Sequence, residues 1–88
     1  MELPEDHKLI LYNDDKNSFS YVMACLIKYC GHEPQQAEQC ALVADLAGKC
    51  TIKHGCWAQI ETMRESLEAL GLKVKMEEYE GDMPEQQQ

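Results

Sequence analysis

The amino-acid sequence predicts an α+β domain: three helices on a three-stranded antiparallel sheet, in the order β-α-α-β-α-β, with the first strand central. Three observations predict it. Leu9, Ile10 and Leu11 form a run that is apolar on both faces, as a strand with a neighbour on each edge requires. Three stretches repeat apolar residues at helical spacing, and each is followed by a glycine. A helix of roughly fifteen residues spans about 22 Å, close to the length of a six-residue strand. The third helix therefore brings the chain back so that strands two and three run the same way, with the first between them and antiparallel to both.

Residues 1–6 read as a short flexible arm, and residues 8–12 as the first strand. Asn13, Asp14 and Asp15 form a polar turn, after which Asn17 or Ser18 can cap a helix. Phe19, Val22, Met23, Leu26, Ile27 and Cys30 mark the apolar face of that helix, and Gly31 stops it. Pro34 suits the first turn of a second helix, where its missing N–H costs nothing, and Gly48 can end it. Ala37, Cys40, Ala41, Leu42, Val43 and Ala44 are its apolar residues, and its richness in small ones suits either close helix packing or an open cleft beside it.

Residues 49–54 form the second strand, with Cys50 and Ile52 sharing one face, and Gly55 turns the chain. Trp57, Ile60, Met63, Leu67 and Leu70 mark the buried stripe of the third helix, with Gly71 as its stop. Leu72, Val74 and Met76 then alternate with Lys73, Lys75 and Glu77 as a half-exposed strand. The folded domain is expected over residues 7–77, followed by an acidic disordered tail over 78–88.

At 88 residues the chain can build one modest core. Sixteen acidic residues against eight basic ones give a net charge of −8, and the Lys and Arg residues form no run. Nucleic acid is therefore not an expected partner, because neutralising phosphates takes a basic patch. No apolar stretch is long enough to cross a bilayer, and the first six residues lack the basic and apolar regions of a secretion signal. A cytoplasmic monomer without a cofactor is the expectation. Five cysteines, an odd number lying mostly in apolar patterns, suit packed reduced thiols.

The ending of the first strand carries the chemistry. Three short acceptor side chains at the lip of a strand can form a turn, bind a metal or grip a ligand cation. The spacing, central glycine and distal Glu of a calcium loop are missing. Phe19 and Val22 open the next helix, so an apolar surface lies within one turn of the carboxylates, and an apolar group attached to a cation fits such a site. Cys30 with His32, and Cys50, His54 and Cys56, raise zinc, and His54 with Cys56 a Cys-His nucleophile, but neither group contains C-x-x-C and there is no recognisable oxyanion loop. Gly48-Lys49 is no phosphate loop, since Val43 stands where its first glycine is needed.

The order of elements and the strings L-Y-N-D-D (11–15), V-M-A-C-L (22–26), G-H-E-P-Q-Q-A-E-Q (31–39) and A-G-K (47–49) resemble the ClpS adaptors of ATP-dependent Clp proteases. The likeness runs without gaps over residues 8–49 and more loosely to 76. It implies an adaptor without enzymatic activity. Such an adaptor binds substrate proteins with N-terminal Phe, Trp, Tyr or Leu and hands them to the N-terminal domain of a Clp AAA+ unfoldase, ClpA- or ClpC-like. By position, Asn13, Asp14 and Asn17 would meet the α-amino group and first peptide unit. Phe19, Val22, Ala41, Ala44 and Leu72 would line the hydrophobic pocket, with Phe19 as its gate.

Asp45 stands where the family usually has a histidine on the α-amino group, and a carboxylate can accept the same hydrogen bond. Ala41 and Ala44 are smaller than the residues usual there, which implies a wider pocket. The surface that docks on the unfoldase would lie partly around Trp57, Glu61 and Met63. The arm is shorter than in many members, which bears on hand-off rather than binding. Two other readings stand beside this one: a regulator that docks on the unfoldase without recognising N-terminal residues, and a small thiol or metal protein built on Cys50, His54 and Cys56.

Overall fold

The structure, a computed structural model, describes residues 4–78. Its elements are β1 (His7–Tyr12), α1 (Phe19–Cys30), α2 (Pro34–Ala47), β2 (Lys49–Gly55), α3 (Trp57–Ala69) and β3 (Val74–Glu78). The three strands form one antiparallel sheet in the order β2-β1-β3, so β1 is central as its apolar faces require. Of the expected arm, residues 4–6 carry no regular element and residues 1–3 lie outside the described residues. Of the expected tail, Glu78 belongs to β3 and pairs with His7, while residues 79–88 lie outside the described residues.

Leu9 and Leu11 project from β1 into the main core, joined there by Leu26 of α1, Ala37 of α2, Ile52 of β2 and Ile60 and Leu67 of α3. Ile10 is buried outside that cluster, between its strand partners Thr51 and Lys75. The register of β1 on β2 shifts between Leu9 and Ile10, which leaves Ile52 without a Cα partner on β1. Such a bulge bends the strand and re-aims a side chain, and here Ile52 goes to the core.

Helix ends follow the local chemistry. Ser18 caps α1 by accepting from the Tyr21 N–H at 3.1 Å. Gly31, Gly48 and Gly71 all take positive φ, 74°, 94° and 92°. After α3 the N–H of Gly71 donates to the Glu68 carbonyl at 2.9 Å and that of Leu72 to Leu67 at 3.1 Å. This is the paired-bond ending that a left-handed residue permits, and it packs Leu72 against Leu67.

Three expectations need correction. Trp57 is 56% exposed and is no part of the buried stripe of α3. It is the first helical residue, and three residues of helix rotate its side chain about 60° off the axis set by Ile60. The strands also shift: β1 starts at His7, β2 includes Gly55, and β3 begins at Val74, because Leu72 is taken up by the ending of α3. Finally, α2 buries Ala37, Ala41 and Ala44 while Leu42, Val43 and Leu46 face outward. The alanines admit close approach at Ala37, and at Ala41 and Ala44 they leave room for a cavity.

Candidate functional site

The tip of β1 is tied on both sides. Tyr12 donates its N–H to the carbonyl of Lys73 at 2.9 Å, and Asn13 donates to that of Gly48 at 3.0 Å. The first bond brings in the connection after α3, and the second brings in the end of α2. A cavity of about 160 Å³ opens between these pieces and the start of α1. An apolar cavity of about 150 Å³ holds a benzene ring, so this one is the size of a single aromatic side chain.

The nine residues that the resemblance implies for the site all line that one cavity, whereas Asp15, the third acceptor of the strand ending, is exposed and does not. Ala41, Ala44 and Leu72 are buried in its wall, Val22 is half-buried, and Phe19 stands 41% exposed at the opening of α1. Asn13 and Asp45 are exposed, and Asp14 and Asn17 are half-buried. Leu11, Tyr12 and Lys73 also line it and escaped the sequence reading. Leu11 and Tyr12 carry only a strand signal in the sequence. Lys73 carries no local signal, because the alternation around Leu72 says only that it faces solvent.

The Asp14 carboxylate is held on both oxygens. One accepts the Lys16 N–H at 2.9 Å, the other the Asn17 Nδ2 at 2.7 Å. The Lys16 N–H above all, against desolvation, and then the Asn17 amide and the charges of Lys73 and Lys16, hold the carboxyl below its ordinary value of 3.8. Asp14 is therefore an anion at neutral pH with lone pairs left to accept. With Ser18 doing the capping, Asn17 is released for this contact and for a second bond from Nδ2 to the Gly71 carbonyl at 2.9 Å.

Asp45 sits in the last turn of α2, which carries no basic residue. The carbonyl end of a helix is the negative end of its dipole, so a carboxylate there is locally unfavourable. Asp45 and the helix end together favour a cation at the rim. The apolar wall and the oxygen-bearing rim thus meet at one opening, and what the arrangement can do is hold a hydrophobic group that carries a positive charge.

The thiols lie elsewhere. Burial pushes the Cys30 thiol up to about 11 and that of Cys50, which also meets Cys40, to about 11. Both are therefore protonated and poorly nucleophilic near neutrality. Among the described residues, no three His, Cys, Asp or Glu side chains converge to hold a metal ion. On the surface named for unfoldase docking, Trp57 is exposed and Met63 packs on the core. Glu61 is engaged by Arg64 through contacts of 3.0 and 2.6 Å. No helix among the described residues is long and apolar enough to cross a membrane.

Residues 2–75 match the family described as ATP-dependent Clp protease adaptor protein ClpS. The structure of Agrobacterium tumefaciens ClpS2 bound to L-phenylalaninamide superposes with a TM-score of 0.81 at 20% identity, covering 85% of this chain and 98% of that one. At that identity the likeness concerns the fold. No curated protein sequence matches the chain.

Proposed function

Because the chain belongs to the ClpS family of Clp protease adaptors, we propose that it binds substrate proteins through a bulky hydrophobic N-terminal residue and delivers them to the N-terminal domain of a cytoplasmic Clp AAA+ unfoldase. The observation that carries this reading is the coincidence at one opening of an aromatic-sized apolar cavity with the acceptors Asn13, Asp14 and Asp45. The similar fold of a ClpS2 bound to L-phenylalaninamide, an aromatic residue with a free amino group, supports it.

The physical chemistry is that of a protonated chain terminus. An α-amino group of pKa about 7.7–8.0 is mainly an ammonium near neutrality, and its hydrogens need acceptors once the first residue is drawn from water. Asp14 supplies a fixed anion, Asp45 a second charge, and the Asn13 amide an acceptor and donors for the ammonium and first peptide unit. The first side chain enters between Val22, Ala41, Ala44 and Leu72, under Phe19.

Burying such a side chain contributes roughly 1.5–3 kcal/mol, and hydrogen bonds to a charged group roughly 1.5–3 kcal/mol each. Two or three such bonds with the buried side chain sum to roughly −8 kcal/mol, the value for micromolar binding, and the cost of association brings the net affinity below that, to weak or moderate. That strength suits a protein that hands its cargo onward. Calorimetric titration with a peptide beginning in Phe, and with the same peptide beginning in Gly, tests the reading. Binding of the Phe peptide alone is expected, and equal behaviour of the two would refute it.

A further inference from the structure

We propose that Tyr21 and Asn17 are positioning residues that fasten the pocket wall carried by Leu72 to α1, with Asn17 also aiming Asp14. The inference rests on the N-terminal-residue reading above and goes beyond it in naming what shapes the pocket. Leu72 is 4% exposed and is a wall residue that neither α1 nor α2 supplies, beside Leu11 of β1. It lies in the short connection between α3 and β3. What fixes that connection also fixes the width of the pocket.

The carbonyl of Leu70, the cap of α3, belongs to the group left without helical partners at a helix end, and that of Gly71 follows it in the turn. Both are taken by side chains from the opening of α1. The Tyr21 hydroxyl donates to Leu70 at 2.6 Å, and Asn17 Nδ2 donates to Gly71 at 2.9 Å. These donors lie 49 and 54 residues from their acceptors, so they fasten one part of the fold to another rather than complete a local turn. Partial desolvation, and then the Cys25 thiol, raise the Tyr21 phenol above its ordinary value, so the hydroxyl remains a donor throughout the neutral range.

Asn17 has two amide hydrogens, and both are committed: one to Asp14 at 2.7 Å, the other to Gly71. Its nitrogen has nothing left to offer a ligand. Asn17 thus joins the anion on the rim to the turn that carries the wall. Loss of the Tyr21 bond loosens the wall alone, whereas loss of Asn17 loosens the wall and also withdraws a hydrogen bond from the Asp14 anion.

The experiment compares the parent, Tyr21→Phe and Asn17→Ala as full chains, with far-UV circular dichroism to confirm the fold. Each is titrated with free-amine peptides differing only in a first Trp or Leu, and the Trp titration is repeated as pH is lowered. Tyr21→Phe keeps the ring and removes one hydroxyl, so it decides the matter even if Asn17→Ala folds poorly. It is expected to weaken the Trp peptide roughly 3- to 10-fold, the range for one lost hydrogen bond, and to shrink the Trp-to-Leu ratio. Asn17→Ala is expected to weaken both peptides and to raise the pH at which acid releases them. A parent that binds, with variants unchanged in affinity, ratio and acid release, overturns the positioning role alone. A parent that binds neither peptide overturns the functional reading and the positioning role with it.

Discussion

The backbone N–H of Asn13 donates to the carbonyl of Gly48 at 3.0 Å, which ties the tip of the central strand to the end of α2. Because the main chain does the tying, the Asn13 side chain is not needed to hold the rim together, and among the described residues it makes no hydrogen bond. Asn13→Ala is therefore expected to leave the fold intact and to weaken a Phe-first peptide roughly tenfold or more. Asp14→Ala should do the same. Calorimetry beside a thermal melt checks both, and two variants that bind as the parent does would remove Asn13 and Asp14 from the site.

Asp45 carries opposite expectations for stability and for the proposed ligand. It adds negative charge at the negative end of α2, whose last turn carries no basic residue. Asp45→Asn is expected to stabilise the domain by about 0.3–1 kcal/mol, read by denaturant unfolding, while weakening the Phe peptide several-fold. Loss of both stability and binding would mean that Asp45 holds the structure and not the ligand.

The pH dependence has two limbs. Above about pH 8 the ligand loses its ammonium proton, so affinity should fall as pH rises. On the acid side Asp14 is held below 3.8 by Lys16 and Asn17, so its anion, and the binding and stability that depend on it, persist until the pH drops through that lowered value. Titrations from pH 3 to 10 check this. A loss of affinity already at about pH 6 would contradict Asp14 as the anion on which binding depends.

Pocket size sets the preference. With alanine at positions 41 and 44 the cavity of about 160 Å³ takes an aromatic ring, which fills it better than a branched aliphatic side chain does. Peptides beginning with Trp or Phe should bind more tightly than one beginning with Leu. Equal or tighter binding of Leu contradicts this.

The fold was legible to the extent that its causes are local. Periodicity set the three helices, Ser18 and the glycines after positions 30, 47 and 70 set their ends, and the two-faced apolar run Leu9–Leu11 set the central strand. The bulge opposite Leu9 and Ile10 was not legible, because it arises from pairing with a strand some forty residues away. The inward alanines and outward Leu42, Val43 and Leu46 of α2 reverse the usual pattern, since its inner face must leave room for a cavity.

The site divides in the same way. Asn13, Asp14, Asn17 and Asp45 were found from the strand ending and the family resemblance, and all line the cavity. The bond from Tyr21 to Leu70 leaves no trace in the sequence near Tyr21, and neither does the second bond of Asn17, because their partners are turn carbonyls that any residue could supply.

The central claim is that a protonated N-terminus and its bulky side chain are recognised together, and calorimetry on one peptide in two forms tests it most directly. A peptide beginning with Phe and a free amine should bind with weak-to-moderate affinity, in the micromolar range or more weakly, and its N-acetylated twin, with the same ring and no charge, at least roughly tenfold more weakly. Equal affinity of the two forms, or the absence of binding by the free-amine form, would contradict it.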